Sequence, residues 1–499
     1  MSIPVELMDQ NPWWRNPKAI LKDKYIMALD KSRVRWDPRL KYMFDLDADM
    51  IYTLRGPRQV GKTTLLKSMI RHLIELGVDP RNIFYYTCDL LDSPKTLVET
   101  ISSYLDSIRP LKKGRAYLLL DEVSSVKDWQ KAVKFLADKG RLTLTTVILT
   151  GSHSLDIKKA SEKLPGRRGR ARDTPDKIML PMKFAEYAET LNEAVRDSVR
   201  EQQVLPWDKR KTLLFSLLEG EIPEEIKELS FLSKELDMLF RDYLLTGGIA
   251  RVAHEYLEHG AISEEVYKTY VDVVLGDLMR WGKKEGYLRQ VMARVLETLG
   301  TPVGWNALKQ ETDIASHNTI ADYVDTLADA FVLLYFHRYD ANRKGPAYQK
   351  EKKICFHDPF FLHAMNAWVT GKEPFESTLD FLRKPENLGV VAEGVAADHM
   401  VRLAFLLSEQ KQLFTYENVV LYWRGKKERE VDFVLKAGFS KGVPVEVKYQ
   451  KTISNEDLFG VIDFMKVSGS TNGVVLSRNT LEVRRNIVVL PIWLFLLLV

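Results

Sequence analysis

The sequence is poor in cysteine, with only Cys88 and Cys355 among its 499 residues. Two cysteines in apolar surroundings exclude a disulfide framework and a cysteine-based zinc site, and they favour a reducing, cytoplasmic compartment. Long apolar runs are also missing. The apolar segment 487–499 has 13 residues and contains Pro491, whereas a membrane-spanning helix needs about 20 residues. We therefore expect a buried strand or short helix there, and no membrane association.

An excess of charge of one sign is absent too. The 73 lysines and arginines nearly balance the 68 acidic residues, which leaves a formal net charge of +5. Any contact with nucleic acid must therefore come from local basic patches. With 45% hydrophobic and 28% charged residues, the composition is that of a globular protein. The length predicts about three domains.

A phosphate-binding motif lies between a short apolar run and an amphipathic segment. Residues 56–63, GPRQVGKT, fit G-x-x-x-x-G-K-[ST]. The apolar run before it ends at Leu54, and the amphipathic segment covers residues 65–76. A strand, a loop and a helix in this order present backbone N–H groups to the phosphates of a nucleotide. The expected ATP-binding residues are Gly56, Pro57, Arg58, Gln59, Val60, Gly61, Lys62, Thr63 and Thr64.

Two side chains of this motif have predicted roles of their own. Lys62 would reach the β- and γ-phosphates, and the hydroxyl of Thr63 would ligate Mg²⁺. Gly56 and Gly61 would allow the tight path and close approach that a Cβ would obstruct.

A second motif ends an apolar strand further along the chain. Residues 116–122, AYLLLDE, end in Asp121 and Glu122. Asp121 would lie beside the magnesium ion, and Glu122 would orient and deprotonate the attacking water. One more predicted strand, residues 82–89, lies between the two motifs, a spacing typical of additional-strand ATPases with a catalytic glutamate. Apolar strands separated by helices predict a parallel sheet with both faces covered.

The fourth predicted strand, residues 142–152, ends in LTGS. Thr150 or Ser152 would face the γ-phosphate and hold the attacking water from the far side.

An arginine-rich loop, LPGRRGRAR, follows at residues 164–172. It has three interpretations: an arginine finger, a loop that faces nucleic acid, or a solvated surface loop. We favour Arg167 or Arg168 as the finger because each follows soon after the fourth strand. Since fingers usually act in trans, a homo-oligomer is expected, and a ring is one form of it.

Residues 181–258 have helical spacing and contain the segment LLTGGIARVA. The break at Gly247-Gly248 before a helix that carries Arg251 would suit a lid whose arginine closes over the nucleotide. A helix-capping glycine pair with a surface arginine is the other interpretation.

Residues 259–370 are predicted to contain a winged helix. Helices at 305–312 and 316–328 precede an apolar strand at 331–336 and a basic stretch that flanks Gly345-Pro346. A helix-turn-helix followed by a hairpin with a cationic tip suits contact with duplex DNA. Aspartates on the second helix favour the alternative, which is docking of a protein. The basic residues are Arg338, Arg343, Lys344, Lys350, Lys352 and Lys353, and the aspartates are Asp322, Asp325 and Asp329.

The last 120 or so residues carry a second group of charged side chains within apolar strands. Glu446 and Lys448 lie two residues apart in VPVEVKYQ, so they share one face of a strand. Asp432 from the partner strand, Glu446, and Glu393 from a helix would hold Mg²⁺ or Mn²⁺. Lys448 would then activate a water for attack on a phosphodiester. An exposed salt bridge between Glu446 and Lys448 on an edge strand is the alternative.

The N-terminal residues 1–49 carry Trp13, Trp14 and Trp36 among prolines and charges. Such aromatic anchors are typical of an arm that packs on a neighbouring domain or subunit. Stacking on bases is the alternative.

Together these motifs resemble a known family. GPRQVGKTT, LLLDE, LTGS with LPGRRGR, and LLTGGIARVA are similar to the motifs of prokaryotic, largely archaeal AAA-superfamily ATPases that carry a C-terminal domain of uncharacterised function. VDFVL and VEVK resemble the signature of the PD-(D/E)xK nuclease-like fold, with Val431-Asp432 in place of Pro-Asp. Arg251 stands where many relatives carry an acidic residue. The resemblance implies ATPase roles for Lys62, Thr63, Asp121, Glu122, Ser152 and Arg167 or Arg168, and nuclease-like roles for Glu393, Asp432, Glu446 and Lys448.

We therefore predict an α/β fold in five parts. They are an N-terminal arm (1–49), a P-loop AAA-type ATPase core with a parallel sheet (50–180), a helical lid (181–258), a winged-helix region (259–370) and a restriction-endonuclease-like α/β domain (371–499). The predicted function is Mg²⁺-dependent ATP hydrolysis coupled to DNA binding, remodelling or cleavage, in repair, recombination or defence. The alternative is an ATP-driven switch or scaffold whose catalytically silent nuclease-like domain binds protein partners.

Overall fold

The computed structural model describes residues 5–108, 114–151, 164, 168–169, 174–202, 204, 206–425 and 428–499. The chain divides into two compact units, with the boundary between Leu180 and Pro181. Each unit is built on a sheet of its own. Within the described ranges, no helix has both the length and the apolar character to cross a membrane.

The sheet of the first unit has five parallel strands. They are β1 (Ile51–Arg55), β2 (Ile83–Thr87), β3 (Ala116–Asp121), β4 (Thr145–Thr150) and β5 (Asp176–Ile178). Their order is β2-β3-β4-β1-β5. Because β4 lies between β1 and β3, the ends of the strands that carry the P-loop, the Asp-Glu pair and Thr150 meet at one edge. The predicted α/β class with a parallel sheet is confirmed, and β5 is a strand that the sequence pattern missed.

The helices of the first unit connect and cover these strands. They are α1 (Val5–Gln10), α2 (Lys24–Lys31), α3 (Lys62–Glu75), α4 (Pro94–Ile108) and α5 (Trp129–Asp138). Leucines and isoleucines of α3 face the core, and the helix begins directly at the P-loop lysine.

The N-terminal residues cover the edge strand β2. The side-chain amide of Asn11 donates to the carbonyl of Tyr85 at 2.9 Å, and its oxygen accepts the N–H of Tyr85 at 2.7 Å. The indole N–H groups of Trp13 and Trp14 donate to the carbonyl of Ile83 at 3.1 and 2.8 Å. Trp13 has no exposed surface, so base stacking is wrong for this residue. Satisfying the open groups of an edge strand in this way protects the sheet from pairing with other chains.

The second unit begins with helices. These are α6 (Phe184–Leu191), α7 (Glu193–Glu201), α8 (Trp207–Leu218), α9 (Glu224–Leu229), α10 (Ser233–Thr246), α11 (Ala250–His259), α12 (Glu264–Arg280), α13 (Glu285–Glu297), α14 (Trp305–Lys309) and α15 (His317–Asp329). Later helices are α16 (Pro359–Thr370), α17 (Pro374–Arg383), α18 (Pro385–Leu407), α19 (Phe459–Ser468) and α20 (Ile492–Leu498).

The sheet of the second unit has eight strands. They are β6 (Leu333–Asp340), β7 (Gly345–Phe356), β8 (Val420–Arg424), β9 (Glu430–Leu435), β10 (Val443–Lys448), β11 (Gly473–Ser477), β12 (Glu482–Arg484) and β13 (Ile487–Pro491), in the order β12-β13-β11-β10-β9-β8-β6-β7. The apolar tail is fully buried as β13 followed by α20, so it forms both a closing strand and a short helix.

The arrangement α14-α15-β6-β7 has the element order of a helix-turn-helix with a hairpin wing. Val303 adds a bridge to Lys352 of β7. The hairpin does not stand alone, because Arg338 of β6 pairs in parallel with Tyr422 of β8. The predicted winged-helix and C-terminal regions therefore share one sheet.

The Gly247-Gly248 pair packs tightly inside the second unit. A Cβ on Gly247 would lie 1.9 Å from Asp358 Oδ1, and one on Gly248 would lie 2.0 Å from the carbonyl oxygen of Met182. The N–H of Gly248 donates to Asp358 Oδ2 at 2.7 Å. These contacts explain the glycine pair by close packing at the end of α10. Arg251 is exposed on α11, and its lid role stays a prediction.

Candidate nucleotide site and C-terminal charge cluster

The loop between β1 and α3 depends on its glycines. Gly56 has φ of +150°, and a Cβ there would lie 2.0 Å from the carbonyl oxygen of Met179. Gly61 has φ of +106° and directly precedes the first helical residue, Lys62. The first N–H groups of a helix have no acceptor within the helix, so they are available to an anion.

Lys62 folds back over this loop. Its Nζ donates to the carbonyl oxygens of Gly56 at 2.9 Å and Pro57 at 2.8 Å. The residue is only 6% exposed. The loop thus holds a positive charge where the phosphates of a nucleotide would bind.

The two sequence motifs meet in one contact. Thr63 Oγ1 donates to Asp121 Oδ2 at 2.7 Å. Both groups offer oxygen atoms, which are the ligands that Mg²⁺ prefers. This donor set therefore fits a magnesium ion held by Thr63 and Asp121.

Three further donors fix the Asp121 carboxylate. Tyr85 donates its hydroxyl to Oδ2 at 3.1 Å, and the backbone N–H of Glu122 donates to Oδ1 at 3.2 Å. Thr150 Oγ1 also donates to Oδ1. Thr150 is fully buried and orients the aspartate, and its role as a sensor stays a prediction. The other predicted sensor, Ser152, lies outside the described residues.

Glu122 follows β3 with a backbone conformation that is rare for a non-glycine residue. Its φ is +52°, in the left-handed region. Its N–H is held by Asp121 Oδ1 at 3.2 Å and is 3.4 Å from Thr150 Oγ1. Such strain persists where the surroundings fix it, and it is frequent at active sites. The residue is partly exposed, as a group that orients water must be.

Sequence reasoning missed a group that supports Asp121 from behind. The ammonium of Lys67 lies 3.4 Å from the centre of the Tyr85 ring and 3.3 Å from Asp23 Oδ2. Burial lowers the pKa of Lys67, and the carboxylate of Asp23 opposes that shift. Burial, and then the charge of Asp121, raise the pKa of Tyr85, so its hydroxyl stays protonated and donates. A lysine at a buried position of an amphipathic helix was the one available signal.

Arg168 forms its hydrogen bonds within its own unit, and its assignment as an arginine finger stays a prediction. Its Nη1 donates to both carboxylate oxygens of Asp176, at 3.0 and 2.9 Å. Its Nε donates to the carbonyl of Ile51 at 3.1 Å, and Nη2 donates to Thr53 Oγ1 at 3.1 Å. These bonds fasten Arg168 to β1 and β5. Arg167 lies outside the described residues and stays the predicted finger.

In the second unit, the predicted carboxylates converge on a lysine. The Nζ of Lys353 lies 2.5 Å from Asp432 Oδ1, 2.8 Å from Glu393 Oε1 and 3.0 Å from Glu430 Oε1. The lysine side chain is 1% exposed. Placing Lys353 at the cationic wing tip was therefore wrong, since only residues 348–350 of β7 are exposed and its last five residues are buried.

Glu446 and Lys448 complete this C-terminal charge cluster. Lys448 Nζ lies 2.6 Å from Glu446 Oε1. The backbone N–H of Asp432 donates to Glu446 Oε2 at 3.1 Å, and the N–H of Val447 donates to Asp432 Oδ2 at 2.7 Å. Because β10 lies between β9 and β11 and Glu446 is 4% exposed, the alternative of an exposed salt bridge on an edge strand is wrong.

Burial and charge act against each other in this cluster. Burial raises the pKa of Glu393 to about 7. Burial and the neighbouring Asp432 carboxylate raise the pKa of Glu446 to about 8. Burial also disfavours the charged form of Asp432, but Lys353 and Lys448 outweigh it and hold the pKa of Asp432 below its usual range. Asp432 is therefore ionised, and the ammonium of Lys353 pairs with its carboxylate.

The cluster does not fit the divalent cation predicted for it. Hard cations need several oxygens that converge on one position, and here the ammonium of Lys353 takes that position. Among the described residues, no three acidic, histidine or cysteine side chains form a group that could hold a metal ion.

Comparison with protein families assigns part of the chain. Residues 48–188 match an AAA domain, residues 237–372 a domain of unknown function (DUF8612), and residues 390–495 another domain of unknown function (DUF4143). The first of these matches covers the region predicted as the AAA-type ATPase core. The nuclease-like nature of the C-terminal region stays a prediction.

Three known proteins with distant similarity illustrate the comparison. An uncharacterised protein of Haemophilus influenzae is 24% identical over 310 residues, which is 60% of this chain and 65% of that protein. A Walker-type ATPase of Pyrococcus abyssi is 13% identical, with a TM-score of 0.36, 73% of this chain covered and 97% of that one. The ORC1 protein of Aeropyrum pernix, solved in complex with DNA, is 12% identical, with a TM-score of 0.27 and coverages of 73% and 94%.

Proposed function

We propose that the AAA-type ATPase domain at residues 48–188 binds ATP with Mg²⁺ and hydrolyses it. The contact of 2.7 Å between Thr63 and Asp121 carries the proposal. It joins residues 58 positions apart in the chain, and these are the two residue types that hold Mg²⁺ in P-loop ATPases.

Each residue of the site has one task in the proposed mechanism. The ion, when bound, supplies positive charge to the β- and γ-phosphate oxygens. Lys62 offsets charge on the same oxygens, and the N–H groups that follow Gly61 bind them. Glu122 orients the attacking water and accepts its proton. The hydroxyls of Tyr85 and Thr150 and the N–H of Glu122 donate to Asp121 and orient it. Asp121 can then hold the ion together with Thr63.

The test compares phosphate release by the wild-type chain with Lys62→Ala and Asp121→Asn. Each variant should lose at least about 100-fold in rate, since positioned charge of this kind contributes that much to phosphoryl transfer. Lys134→Ala, which removes an exposed lysine of α5, is the matched control and should keep the wild-type rate. Undiminished hydrolysis in Lys62→Ala would contradict the proposal.

We also propose that ATP turnover is coupled to DNA binding or remodelling through the wing. Arg343, Lys344 and Lys350 are exposed on and next to the β6–β7 turn. Exposed cations at a hairpin tip can bind backbone phosphates and release counterions. DNA cleavage is not expected, because the C-terminal charge cluster does not fit a divalent cation.

The salt dependence of DNA affinity distinguishes contact through the wing from electrostatic attraction to the rest of the protein surface. Affinity for a DNA duplex is measured between about 50 and 200 mM salt for wild type and Arg343→Ala/Lys344→Ala. In the double variant, the slope of log affinity against log salt concentration should fall by the contribution of about two phosphate contacts. Lys372→Ala/Lys384→Ala removes two exposed lysines elsewhere in the second unit and should keep the wild-type slope. Equal slopes for all three proteins would count against the wing.

A second candidate function is an ATP-driven switch that docks a protein partner. The exposed residues of α15 include Asp322 and Asp325, and Asp322 pairs with Lys283. An acidic helix face repels DNA phosphates and suits a basic protein surface. This function is favoured if DNA leaves the ATPase rate unchanged while hydrogen exchange in α15 differs between the ATP-bound and ADP-bound states.

A further inference from the structure

The C-terminal charge cluster contains two cations and four acids, and the buried side chain of Lys353 lies at its centre. The cations are Lys353 and Lys448, and the acids are Glu393, Glu430, Asp432 and Glu446. Unpaired charges are not buried in protein interiors, because their loss of hydration is too large. Here each lysine lies within ion-pair distance of at least one acid, so both cations are paired without an added ion.

We propose that the Lys353 ammonium permanently replaces a divalent cation in this cluster. The C-terminal domain would then bind no catalytic metal and act as a non-hydrolytic module. This goes beyond the ATPase and does not depend on it.

The geometry of Lys353 favours replacement of a divalent cation by the ammonium over binding of the cation beside it. Its Nζ is within 3.0 Å of three acids that come from two elements, Asp432 and Glu430 of β9 and Glu393 of α18. A divalent ion shared by Asp432 and Glu393 would lie beside a buried ammonium, and repulsion between like charges is strong where water is excluded. Unlike a free ion, the ammonium is covalently fixed to β7 and is not diluted away.

Lys353 also joins two strands that are not hydrogen-bonded neighbours. Strands β8 and β6 separate β9 from β7 in the hydrogen-bonded order, yet Lys353 of β7 reaches Asp432 of β9 at 2.5 Å. The lysine therefore ties the hairpin of the predicted winged helix to the centre of the C-terminal region. A metal ion in the place of the ammonium would hold the hairpin to these strands only while the ion is bound.

The second lysine, Lys448, accounts for the burial of the fourth acid, Glu446. Lys448 pairs with Glu446 at 2.6 Å, while Glu446 accepts the backbone N–H of Asp432. The set of Asp432, Glu446 and Lys448 thus has a use without a metal, as an internal ion network between β9 and β10. The presence of all three residues in the sequence does not require an active nuclease.

The test counts bound Mn²⁺ by electron paramagnetic resonance on the full chain without nucleotide. Wild type, Lys353→Ala and Lys353→Ala/Asp432→Asn are compared. We expect Lys353→Ala to bind one ion more than wild type, and the double variant to lose that ion. ATP hydrolysis should be the same in wild type and Lys353→Ala. A folded Lys353→Ala that gains no ion would overturn the proposal.

A second measurement needs no change at Lys353. Any Mn²⁺ that the wild-type chain binds should vanish in Asp121→Asn, because it belongs to the nucleotide site. An ion that survives in Asp121→Asn and disappears in Asp121→Asn/Asp432→Asn would overturn the proposal. This measurement therefore tests the proposal even if Lys353→Ala does not fold.

Discussion

Tyr85 and Asp121 are joined by a hydrogen bond of 3.1 Å from the phenol to Oδ2. The same oxygen accepts the hydroxyl of Thr63. Behind the ring lies the ammonium of Lys67, which pairs with Asp23 of the N-terminal region. A residue of the edge strand β2 thus orients the carboxylate proposed to hold Mg²⁺.

Removing this hydroxyl should weaken the response to Mg²⁺. In Tyr85→Phe we expect the Mg²⁺ concentration for half-maximal nucleotide binding to rise about three- to tenfold, as the loss of one ordinary hydrogen bond implies. The phenyl ring still supports Lys67, so the fold should remain. Binding of a fluorescent ATP analogue across a Mg²⁺ titration measures the shift.

The neighbouring tyrosine is a matched control. Tyr86 donates its hydroxyl to Glu6, away from the site, so Tyr86→Phe should keep the wild-type Mg²⁺ dependence. If Tyr85→Phe also keeps it, Tyr85 does not position Asp121.

Arg168 should act on stability and not between subunits. Arg168→Ala breaks the paired hydrogen bonds to Asp176, and we expect about 1–3 kcal/mol lower free energy of unfolding for the first unit. Urea denaturation measures it. Arg81→Ala, which breaks an exposed ion pair with Asp79, should change stability by less than about 1 kcal/mol.

The finger hypothesis makes a different prediction for the same variant. If Arg168 acted in trans, mixing Arg168→Ala with a Glu122→Gln chain would restore hydrolysis at the mixed interfaces. We expect no such recovery.

A methyl group at Gly248 should disrupt the second unit. In Gly248→Ala the new Cβ would lie 2.0 Å from the carbonyl oxygen of Met182, which forces the backbone to move. We expect a loss of more than about 2 kcal/mol, as steric overpacking and a lost backbone contact imply. Differential scanning calorimetry measures the effect on the second unit.

Gly286 provides the opposite case in the same unit. It lies in α13, and a Cβ added there would meet no described atom within 4 Å. Gly286→Ala should be neutral or stabilise by about 0.5–1 kcal/mol, since alanine favours a helix over glycine. Equal effects of the two substitutions would show that packing at Gly248 is not tight.

The nucleotide site could be found from the sequence because each of its two motifs is contiguous. Lys62 and Thr63 follow a glycine that starts a helix, and Asp121 ends a strand whose apolar run is unmistakable. Tyr85 could not be found, since it lies 36 residues from Asp121 and looks like any aromatic residue of a buried strand. Only the order of strands brings the two together.

The C-terminal charge cluster was also only partly predictable from the sequence. Asp432, Glu446 and Glu393 do gather, as their pattern predicted, but the group at their centre comes from 79 residues before Asp432. In the sequence, Lys353 is one of several basic residues of a hairpin. Whether a lysine near the end of β7 faces solvent or core depends on how the sheet curves, which no local pattern records.

The central claim is that Glu122 activates water for an ATP held by Lys62, Thr63 and Asp121. Single-turnover hydrolysis by Glu122→Gln, with ATP affinity measured on the same protein, tests it most directly. The account predicts ATP affinity within about threefold of wild type and hydrolysis slowed by about 10²–10⁴, the usual contribution of a general base. Hydrolysis at the wild-type rate in Glu122→Gln would contradict it.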